Sequence, residues 1–244
     1  MDNNLLFLQK TYAMTTSDLD QYDRLSPAAI FDFFQDIAGR HAEMLGIGFH
    51  PLLEKGYYWV LTRNVYEIVH PLTSYDDLVV STWPHKPSSF DFTREYEIHD
   101  SKGQLLVKGL SKWLILSKDT HQIQRSRVVS YGTGKHLERS NFNTSLDKLE
   151  NYDLLKAPSI YQTKITHSQI DHNGHMNNAE YAVEIFNALA PNKKQIIRRF
   201  EINYLGEMFI GDTLSIHSKD FGDFIAVEGY RGEEIKVRAK VHLA

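Results

Sequence analysis

The stretch SPAAIFDFFQDIAGRHAEMLG (residues 26–46) has the features of one amphipathic helix with defined ends. Ser26 is a favoured N-cap residue, Pro27 suits the first helical position, and Gly46 can terminate the helix. Between these ends, residues on one face recur at helical spacing: Ile30, Phe34, Ile37, Ala38, His41 and Leu45. The stretch therefore predicts a long helix with one face on a core.

Segments with a period of two flank this helix on both sides. Such alternation is typical of strands that bury one face. The predicted strands are residues 11–19 before the helix and 57–68, 78–83, 90–98 and 104–116 after it. One long helix against one antiparallel sheet is a two-layer α+β unit.

The second half of the chain repeats this order of elements. Two alignments without gaps support a duplication: an offset of 151 places Asp171 on Asp20, and an offset of 136 places 199–214 on 63–78. The repeat predicts a helix over 179–190 and strands over 161–167, 197–205, 213–219, 224–230 and 235–243.

The fold class that the repeat predicts is α+β, a double hotdog: two tandem units, each a central helix wrapped by an antiparallel sheet. The polar segment between the halves has no sustained period, which is typical of a linker. We therefore divide the chain into an N-terminal hotdog (1–135), a linker (136–155) and a C-terminal hotdog (156–244).

The two halves differ at the turn before the helix, where only the second half has an acid, an amide and an imidazole together. The aligned pairs are Asn173 with Tyr22, His175 with Arg24, and, further on, Glu207 with Pro71. We therefore expect one active site per chain, in the second half. Its catalytic set is Asp171, Asn173, His175 and Glu207.

Such a set has a definite chemistry near the amino end of a helix. Free backbone N–H groups there can bind the oxyanion of acyl transfer. A carboxylate can activate water or attack directly, an amide can position the carbonyl or the water, and an imidazole exchanges protons near neutral pH. The alternative for the Asp-x-Asn-x-His-x-Asn-Asn run is that these residues only form an ordinary turn and cap the helix. The alternative for Glu207 is a solvated residue at the end of a strand.

Composition restricts the function further. The 244 residues carry a net charge of −4, which disfavours a generally cationic nucleic-acid binder. The absence of cysteine excludes thiolate metal sites and a cysteine nucleophile, and the histidines 167, 172 and 175 fit no usual zinc spacing. We expect no metal, no cofactor, no nucleic acid and no stable membrane insertion. Because residues 1–10 lack a secretory signal, we expect a cytoplasmic protein.

The stretch DHNGHMNNAEY (171–181) resembles a motif of the fatty acyl-ACP thioesterases of plants and bacteria, Asp-x-Asn-x-His-x-Asn-Asn-x-x-Tyr. The matching residues are Asp171, Asn173, His175, Asn177, Asn178 and Tyr181. A second motif of that family, Tyr-x-x-Glu-Cys, is matched by Tyr204 and Glu207, whereas Met208 replaces the cysteine. That departure argues against a thiol mechanism in this chain.

The resemblance implies hydrolysis of fatty acyl-ACP, which releases free fatty acid and ends chain elongation, with acyl carrier protein as the partner. It implies that the second hotdog is catalytic and that the first holds much of the acyl pocket. The residues expected to bind the substrate are Phe31, Phe33, Phe34 and Ile37 in the first half and Asn177, Asn178 and Tyr181 in the second. Core packing is the alternative for the three phenylalanines.

Several alternatives stay open from the sequence. Glu207 could deprotonate water, or Asp171 could attack first and form an anhydride. An acyl-CoA thioesterase would use the same site, and a hydratase or dehydratase of the same fold and a non-catalytic acyl-chain binding protein are further rivals. Basic clusters within 102–139 and 193–199 could dock an acidic carrier protein. The chain-length preference and a homodimer are left open.

Overall fold

The computed structural model describes residues 5–132, 134–143 and 145–244. The strands within these ranges are β1 (Leu8–Tyr12), β2 (Tyr57–Ile68), β3 (Leu78–Pro84), β4 (Phe92–His99), β5 (Leu105–Ser117), β6 (Tyr161–Lys164), β7 (Ile197–Tyr204), β8 (Thr213–Asp220), β9 (Ile225–Arg231) and β10 (Glu234–Leu243). The helices are α1 (Pro27–Met44), α2 (Phe49–Glu54) and α3 (Asn178–Leu189). None of these described helices is both long and apolar enough to cross a membrane.

The ten strands form one antiparallel sheet in the order β1-β3-β4-β5-β2-β7-β10-β9-β8-β6. The five strands of the first half therefore lie side by side, and the five of the second half continue the same sheet. Helix α1 packs on the first part and α3 on the second, around a continuous apolar core. This arrangement confirms the α+β double hotdog.

The two halves meet where β2 pairs with β7, a contact that we call the seam. Five residue pairs form it, and at its centre Val65 pairs with Glu201. These two residues are also related by the offset of 136 in the sequence. A residue that pairs with its own counterpart lies on a twofold axis, so the repeat in the sequence is a pseudo-twofold symmetry of the sheet.

Helix α1 begins as its sequence predicts, with the Ser26 hydroxyl accepting a hydrogen bond from the N–H of Ala29 at 3.1 Å. Its apolar face is buried against the first half of the sheet. Phe34 stacks on Tyr96 of β4 with ring centroids 4.3 Å apart, and its ring covers Gly109 of β5, where any Cβ would collide with it. Glycine at this position therefore allows the helix to approach the sheet closely.

Helix α3 covers the second half in the same way. Its N-cap is Asn177, whose side-chain oxygen accepts from the N–H of Ala179 at 3.1 Å and from Gln35 of α1 at 3.4 Å. Across the seam, Phe31 of α1 contacts Phe200 of β7 with ring centroids 5.7 Å apart. The two helices are thereby joined to each other and to both parts of the sheet.

Both strands that precede a long helix are shorter than the sequence predicts. β1 spans Leu8–Tyr12 rather than 11–19, so it begins earlier and ends earlier than predicted, and β6 ends at Lys164 rather than at residue 167. In each case a 3-10 turn follows, closed by a capping box at Thr15 or Thr166. Hydrogen bonds from side chains to the local backbone compete with the strand ladder, which explains the early ends.

Residues 136–143 and 145–157 run across the outer face of the sheet, and we call them the strap. The strap belongs mainly to the predicted linker (136–155). Near its start, the carbonyl of Arg139 accepts from the Trp83 indole at 3.0 Å, and further on Leu146 packs against Val65. In chain order its partners lie on β3, β4, β5 and β2, and then on β7, β10, β9 and β8. The strap therefore ties both halves together.

Candidate active site

A cavity of about 1350 Å³ opens at the seam and is lined by both halves of the chain. Most small-molecule pockets have roughly 300–1,000 Å³, so this one has room for a long chain as well as a reacting group. All four residues of the expected catalytic set line it: Asp171, Asn173, His175 and Glu207. The structure therefore brings the set together, although Glu207 belongs to the loop after β7 and the others belong to the turn before α3.

The turn from Asp171 to His175 is closed by its own backbone. The N–H of Asp171 donates to the carbonyl of His175 at 2.9 Å, and Gly174 has a φ of +82°, a left-handed conformation that favours glycine. The Asp171 carboxylate accepts from the N–H of Asn173 at 2.8 Å and from its side-chain amide at 3.3 Å. Asp171 thus fixes the direction in which the Asn173 amide points.

The Glu207 carboxylate lies beside the His175 imidazole, with Oε2 and Nε2 3.5 Å apart. Two contacts hold this arrangement: the His175 ring packs edge-on against Phe209 with centroids 5.3 Å apart, and the Tyr181 hydroxyl donates to the carbonyl of Gly206 at 3.2 Å. The side chains of His175 and Glu207 are 33% and 54% exposed, so water reaches both. A carboxylate beside an imidazole can take a proton from water and pass it on.

The equivalent turn of the first half has the same backbone but a different charge balance. The N–H of Asp20 donates to the carbonyl of Arg24, as that of Asp171 does to His175. Here, however, the guanidinium of Arg24 forms a salt bridge of 2.7 Å with the Asp20 carboxylate and also donates to the carbonyl of Gln195. The cavity beside this turn has only about 20 Å³. In the turn of the first half, the carboxylate aligned with Asp171 is therefore neutralised, and there is no room beside it for a substrate.

Two of the three residues of the second half that are expected to bind the substrate, Asn178 and Tyr181, line the cavity. Asn178 is the first residue of α3, where backbone N–H groups have no acceptor within the helix, and its carbonyl accepts from the Tyr204 hydroxyl at 3.2 Å. Asn177 does not line the cavity, because its side chain caps the helix through the N–H of Ala179. The structure therefore gives Asn177 a capping role.

The four residues of the first half that are expected to bind the substrate lie elsewhere. Phe31, Phe33, Phe34 and Ile37 are buried in the core, and none of them lines the cavity. The physical reason is that they lie on the face of α1 that meets the strands, so core packing accounts for them. The cavity borders the opposite face of α1 and an apolar wall of the first half: Ile47, Leu53, Trp59, Leu61, Phe92, Trp113, Leu114 and Tyr131.

Sequence reasoning misses charged residues on the cavity wall. Asp32 of α1 lies there, and burial together with the nearby carboxylates of Glu180 and Asp18 raises its pKa to about 6. Lys236 of β10 is almost fully buried on the wall and pairs with Glu234 at 2.7 Å. Each is a single charge in an ordinary element, so no spacing marks it. Within the described ranges, no group of three or more histidine, aspartate or glutamate side chains could hold a metal ion.

Two family models match this chain one after the other. The model of the acyl-ACP thioesterase N-terminal domain matches residues 6–128, and that of the acyl-ACP thioesterase C-terminal domain matches residues 152–242. The two matches together cover most of the chain. The residues between them include most of the strap.

Two solved structures share the fold of this chain, and a curated protein is similar to it in sequence. An acyl-ACP thioesterase from Bacteroides thetaiotaomicron, 24% identical, aligns with a TM-score of 0.89 over 100% of both chains. The 12:0-ACP thioesterase from Umbellularia californica, 17% identical, aligns with a TM-score of 0.80 over 98% of this chain and 97% of that one. The chloroplastic acyl-[acyl-carrier-protein] hydrolase FATB3 from Cuphea viscosissima is 23% identical over 166 residues, which is 62% of this chain and 39% of that protein.

Proposed function

Because this chain belongs to the acyl-ACP thioesterase family, whose members are thioester hydrolases, we propose that it cleaves fatty acyl-ACP at Glu207 and His175 beside the seam. The activity follows from the family: hydrolysis of the thioester releases the free fatty acid from acyl carrier protein. One observation supports the placement of the reaction above all. The contact of 3.5 Å between His175 and Glu207 lies on the wall of a cavity that is large enough for an acyl chain.

In the proposed mechanism Glu207 takes a proton from water, and the oxygen of that water attacks the thioester carbonyl carbon. His175 holds the Glu207 carboxylate in place. The backbone N–H of Asn178, the first residue of α3 and on the cavity wall, stabilises the oxyanion, because the N–H groups of Ala179 and Glu180 donate to Asn177. When the C–S bond breaks, the proton passes from Glu207 through His175 to the leaving thiolate.

Asp171 acts as a positioning residue in this mechanism. Both of its carboxylate oxygens accept hydrogen bonds from Asn173, which lowers their nucleophilicity. The amide of Asn173, fixed in this way, orients the water or the carbonyl. The geometry therefore favours general-base catalysis over the anhydride scheme.

We place the acyl chain in the part of the cavity that belongs to the first half. The wall there includes Trp59, Leu61 and Phe92, and each methylene group buried against it contributes about 0.8 kcal/mol to binding. In this assignment the first hotdog holds the acyl chain, as the resemblance implies. The residues that contact the chain differ from those expected from the sequence.

We place the carrier protein where the cavity opens to solvent. Three large apolar side chains on the cavity wall are exposed there, Ile123, Leu205 and Phe209, and we call them the mouth. Arg125 and Arg127 follow Ile123 along the chain, so an acidic carrier docked at the mouth would meet positive charge. Other basic residues of the predicted cluster pair with carboxylates of their own half: Lys108 at 3.2 Å, Lys112 at 3.7 Å and Arg139 at 2.8 Å.

The test of the carrier is the release of thiol from acyl-ACP and from the same acyl-CoA, followed with a thiol reagent. The protein contains no cysteine, so it adds no background to this assay. We expect a higher kcat/KM on acyl-ACP, with a difference that shrinks as salt screens the charges. A higher kcat/KM on acyl-CoA would contradict the assignment of the carrier.

The test of the site uses variants in the same assay. Glu207→Gln and His175→Ala should lower kcat by about 10²-fold or more, the usual contribution of acid–base groups. The matched control is Arg24→Ala, in the equivalent turn of the first half, which should leave kcat almost unchanged. Normal turnover by the Glu207 variant would refute the site.

A further inference from the structure

Tyr58 of β2 and His121 of the loop after β5 form a hydrogen bond on the wall of the cavity, with the hydroxyl 2.9 Å from Nδ1. Both residues belong to the first half, outside the two thioesterase motifs, and the mechanism above uses neither. They lie close to the mouth, because Ile123 follows His121 by two positions. The cavity thus has a polar pair that hydrolysis itself does not require.

The seam places this pair opposite the reacting carboxylate. The pairing of β2 with β7 reaches Arg63 and Asn203. Four further residues in that antiparallel register bring Glu207 level with Trp59, the residue next to Tyr58 near the start of β2. The electrostatics agree, because burial and then the charge of Glu207 raise the pKa of Tyr58. Tyr58 and His121 therefore face Glu207 from the half that carries no catalytic residue.

The backbone holds His121 in a fixed orientation. Its φ is +54°, a left-handed conformation that residues other than glycine seldom adopt, and its N–H donates to the carbonyl of Ser117 at 2.9 Å. A bridge between Leu116 and Ile123 closes the same loop. Such a conformation persists only where the surrounding contacts enforce it.

The pair offers one donor and one acceptor to a ligand, whichever tautomer the imidazole adopts. If the Tyr58 hydroxyl donates to Nδ1, the Nε2–H of His121 remains to donate and the Tyr58 oxygen to accept; in the other tautomer the roles are exchanged. A neutral amide, with one N–H and one C=O, is the complement of this arrangement. An anion such as phosphate is disfavoured, because six carboxylates and only three cationic side chains line the same cavity.

We propose that Tyr58 and His121 bind the amide that lies nearest to the sulfur in the carrier arm of the acyl thioester. Two methylene groups join that amide to the sulfur, so a thioester carbonyl at Glu207 brings the amide towards the mouth. The inference rests on the proposed function, because it requires an acyl thioester with its carbonyl at Glu207. Acyl carrier protein and coenzyme A carry the same amide, so the pair recognises the arm of either.

The experiment compares two small thioesters of the same fatty acid. The thioester of N-acetylcysteamine keeps the amide, and that of 1-pentanethiol replaces it with methylene groups. Tyr58→Phe removes the hydroxyl, and His121→Asn removes the imidazole but keeps a residue type that tolerates a left-handed backbone. The matched control is Tyr57→Phe, which removes the neighbouring hydroxyl from a side chain that packs against Leu52 and Ile115 and does not itself line the cavity.

We expect Tyr58→Phe and His121→Asn to lower kcat/KM for the thioester with the amide by about three- to tenfold, mainly through KM, as the loss of one or two neutral hydrogen bonds does. The same variants should change kcat/KM for the pentanethiol ester by less than about twofold, and Tyr57→Phe should change neither value. Equal losses on both thioesters, no loss on either, or a loss confined to kcat would overturn the proposal.

A failure of the proposed function would look different. A wild-type protein that cleaves neither acyl-ACP nor the small thioesters contradicts hydrolysis, whereas an active wild type with unaffected variants contradicts only the amide site. If the small thioesters are cleaved too slowly to measure, the binding of a long-chain S-alkyl thioether of N-acetylcysteamine is measured by calorimetry. Tyr58→Phe should then raise its Kd by about threefold or more, and an unchanged Kd would overturn the proposal.

Discussion

Arg24 determines which of the two duplicated turns can carry out chemistry. Its guanidinium neutralises the Asp20 carboxylate. In the second turn the aligned position is His175, and the Asp171 carboxylate accepts a hydrogen bond from the Asn173 amide instead. The sequence shows this asymmetry because the differing residues stand at aligned positions. It does not show the contact of His175 with Glu207, which depends on the course of the loop after β7 and on the bonds that hold that loop.

The raised pKa of Asp32 predicts how the stability of the protein changes with pH. Because this pKa is about 6, the folded chain keeps a proton between about pH 4 and 6 that the unfolded chain has released. Stability is therefore lost as the pH rises through this range. We expect Asp32→Asn to raise Tm by up to about 3 °C near pH 7.5 and to leave it unchanged near pH 3.5, measured by scanning calorimetry.

Asp36, one turn further along α1, is a control because its pKa is shifted in the opposite direction. Burial raises its pKa, but hydrogen bonds from Arg40 and Tyr12 outweigh this effect and hold the pKa below its ordinary value. Its ionised form therefore contributes stability that is present at neutral pH and lost as the pH falls through the lowered pKa. Asp36→Asn should lower Tm near pH 7.5. A rise of Tm in both variants would contradict this account of the two charges.

Among the elements, the sequence predicts those that have a long, regular apolar period. The strand predicted over 57–68 matches β2, and the helix predicted from Pro27 matches the start of α1. Helix α2 is missed because its six residues, FHPLLE, are too few to show a period, and helices this short depend on tertiary packing. Here Leu52 is fully buried, and Leu53 reaches the cavity wall.

The close approach of α1 to β5 predicts opposite effects for two glycine substitutions. Gly109→Ala forces the Phe34 ring away from its stacking partner Tyr96, so we expect a loss of about 1–3 kcal/mol in the free energy of unfolding. Gly39→Ala, on α1 with open space around its Cα, should gain about 0.5–1 kcal/mol through helix propensity. Urea denaturation measures both values, and equal effects would contradict the packing described.

The apolar wall of the cavity predicts which substitutions change the chain length of the product. Leu53→Trp narrows the cavity, and a loss of room for two methylene groups should shift the preference towards shorter chains by roughly tenfold or more. The matched control is Phe34→Leu, in the core behind the same helix, which should lower Tm and leave the distribution unchanged. The measurement is the distribution of released fatty acids, and a shift in the control alone would restore the substrate role of the α1 phenylalanines.

At the scale of the whole molecule, the two halves share one sheet and one core. The repeat in the sequence predicts two similar halves, but it does not predict that β2 pairs with β7 or that the strap crosses the sheet. Both features depend on contacts between residues that are far apart in the chain, such as Arg63 with Asn203 and Tyr152 with Glu228. Local patterns carry no information on such contacts.

The shared core predicts that a cut in the strap leaves the protein assembled. A protease site inserted between Asp147 and Lys148, which are both exposed, can be cleaved without disturbing the seam. We expect the two fragments to elute together, to unfold in a single calorimetric transition and to keep most of the activity of the uncut protein. Separation of the fragments, or two transitions, would show that the halves fold independently.

The order of contacts along the strap has a consequence for recombination between related genes. Up to Leu146 the strap lies mainly on strands of the first half, and from Leu149 onward it lies on strands of the second. Consider a recombination between related genes that falls between the codons of Leu146 and Leu149. In the chimera, nearly every part of the strap still contacts strands that come from the same parent. The recombination also transfers the acyl wall and the Tyr58–His121 pair as one block and the hydrolytic residues as another, so chimeras joined there should yield new chain-length preferences most often.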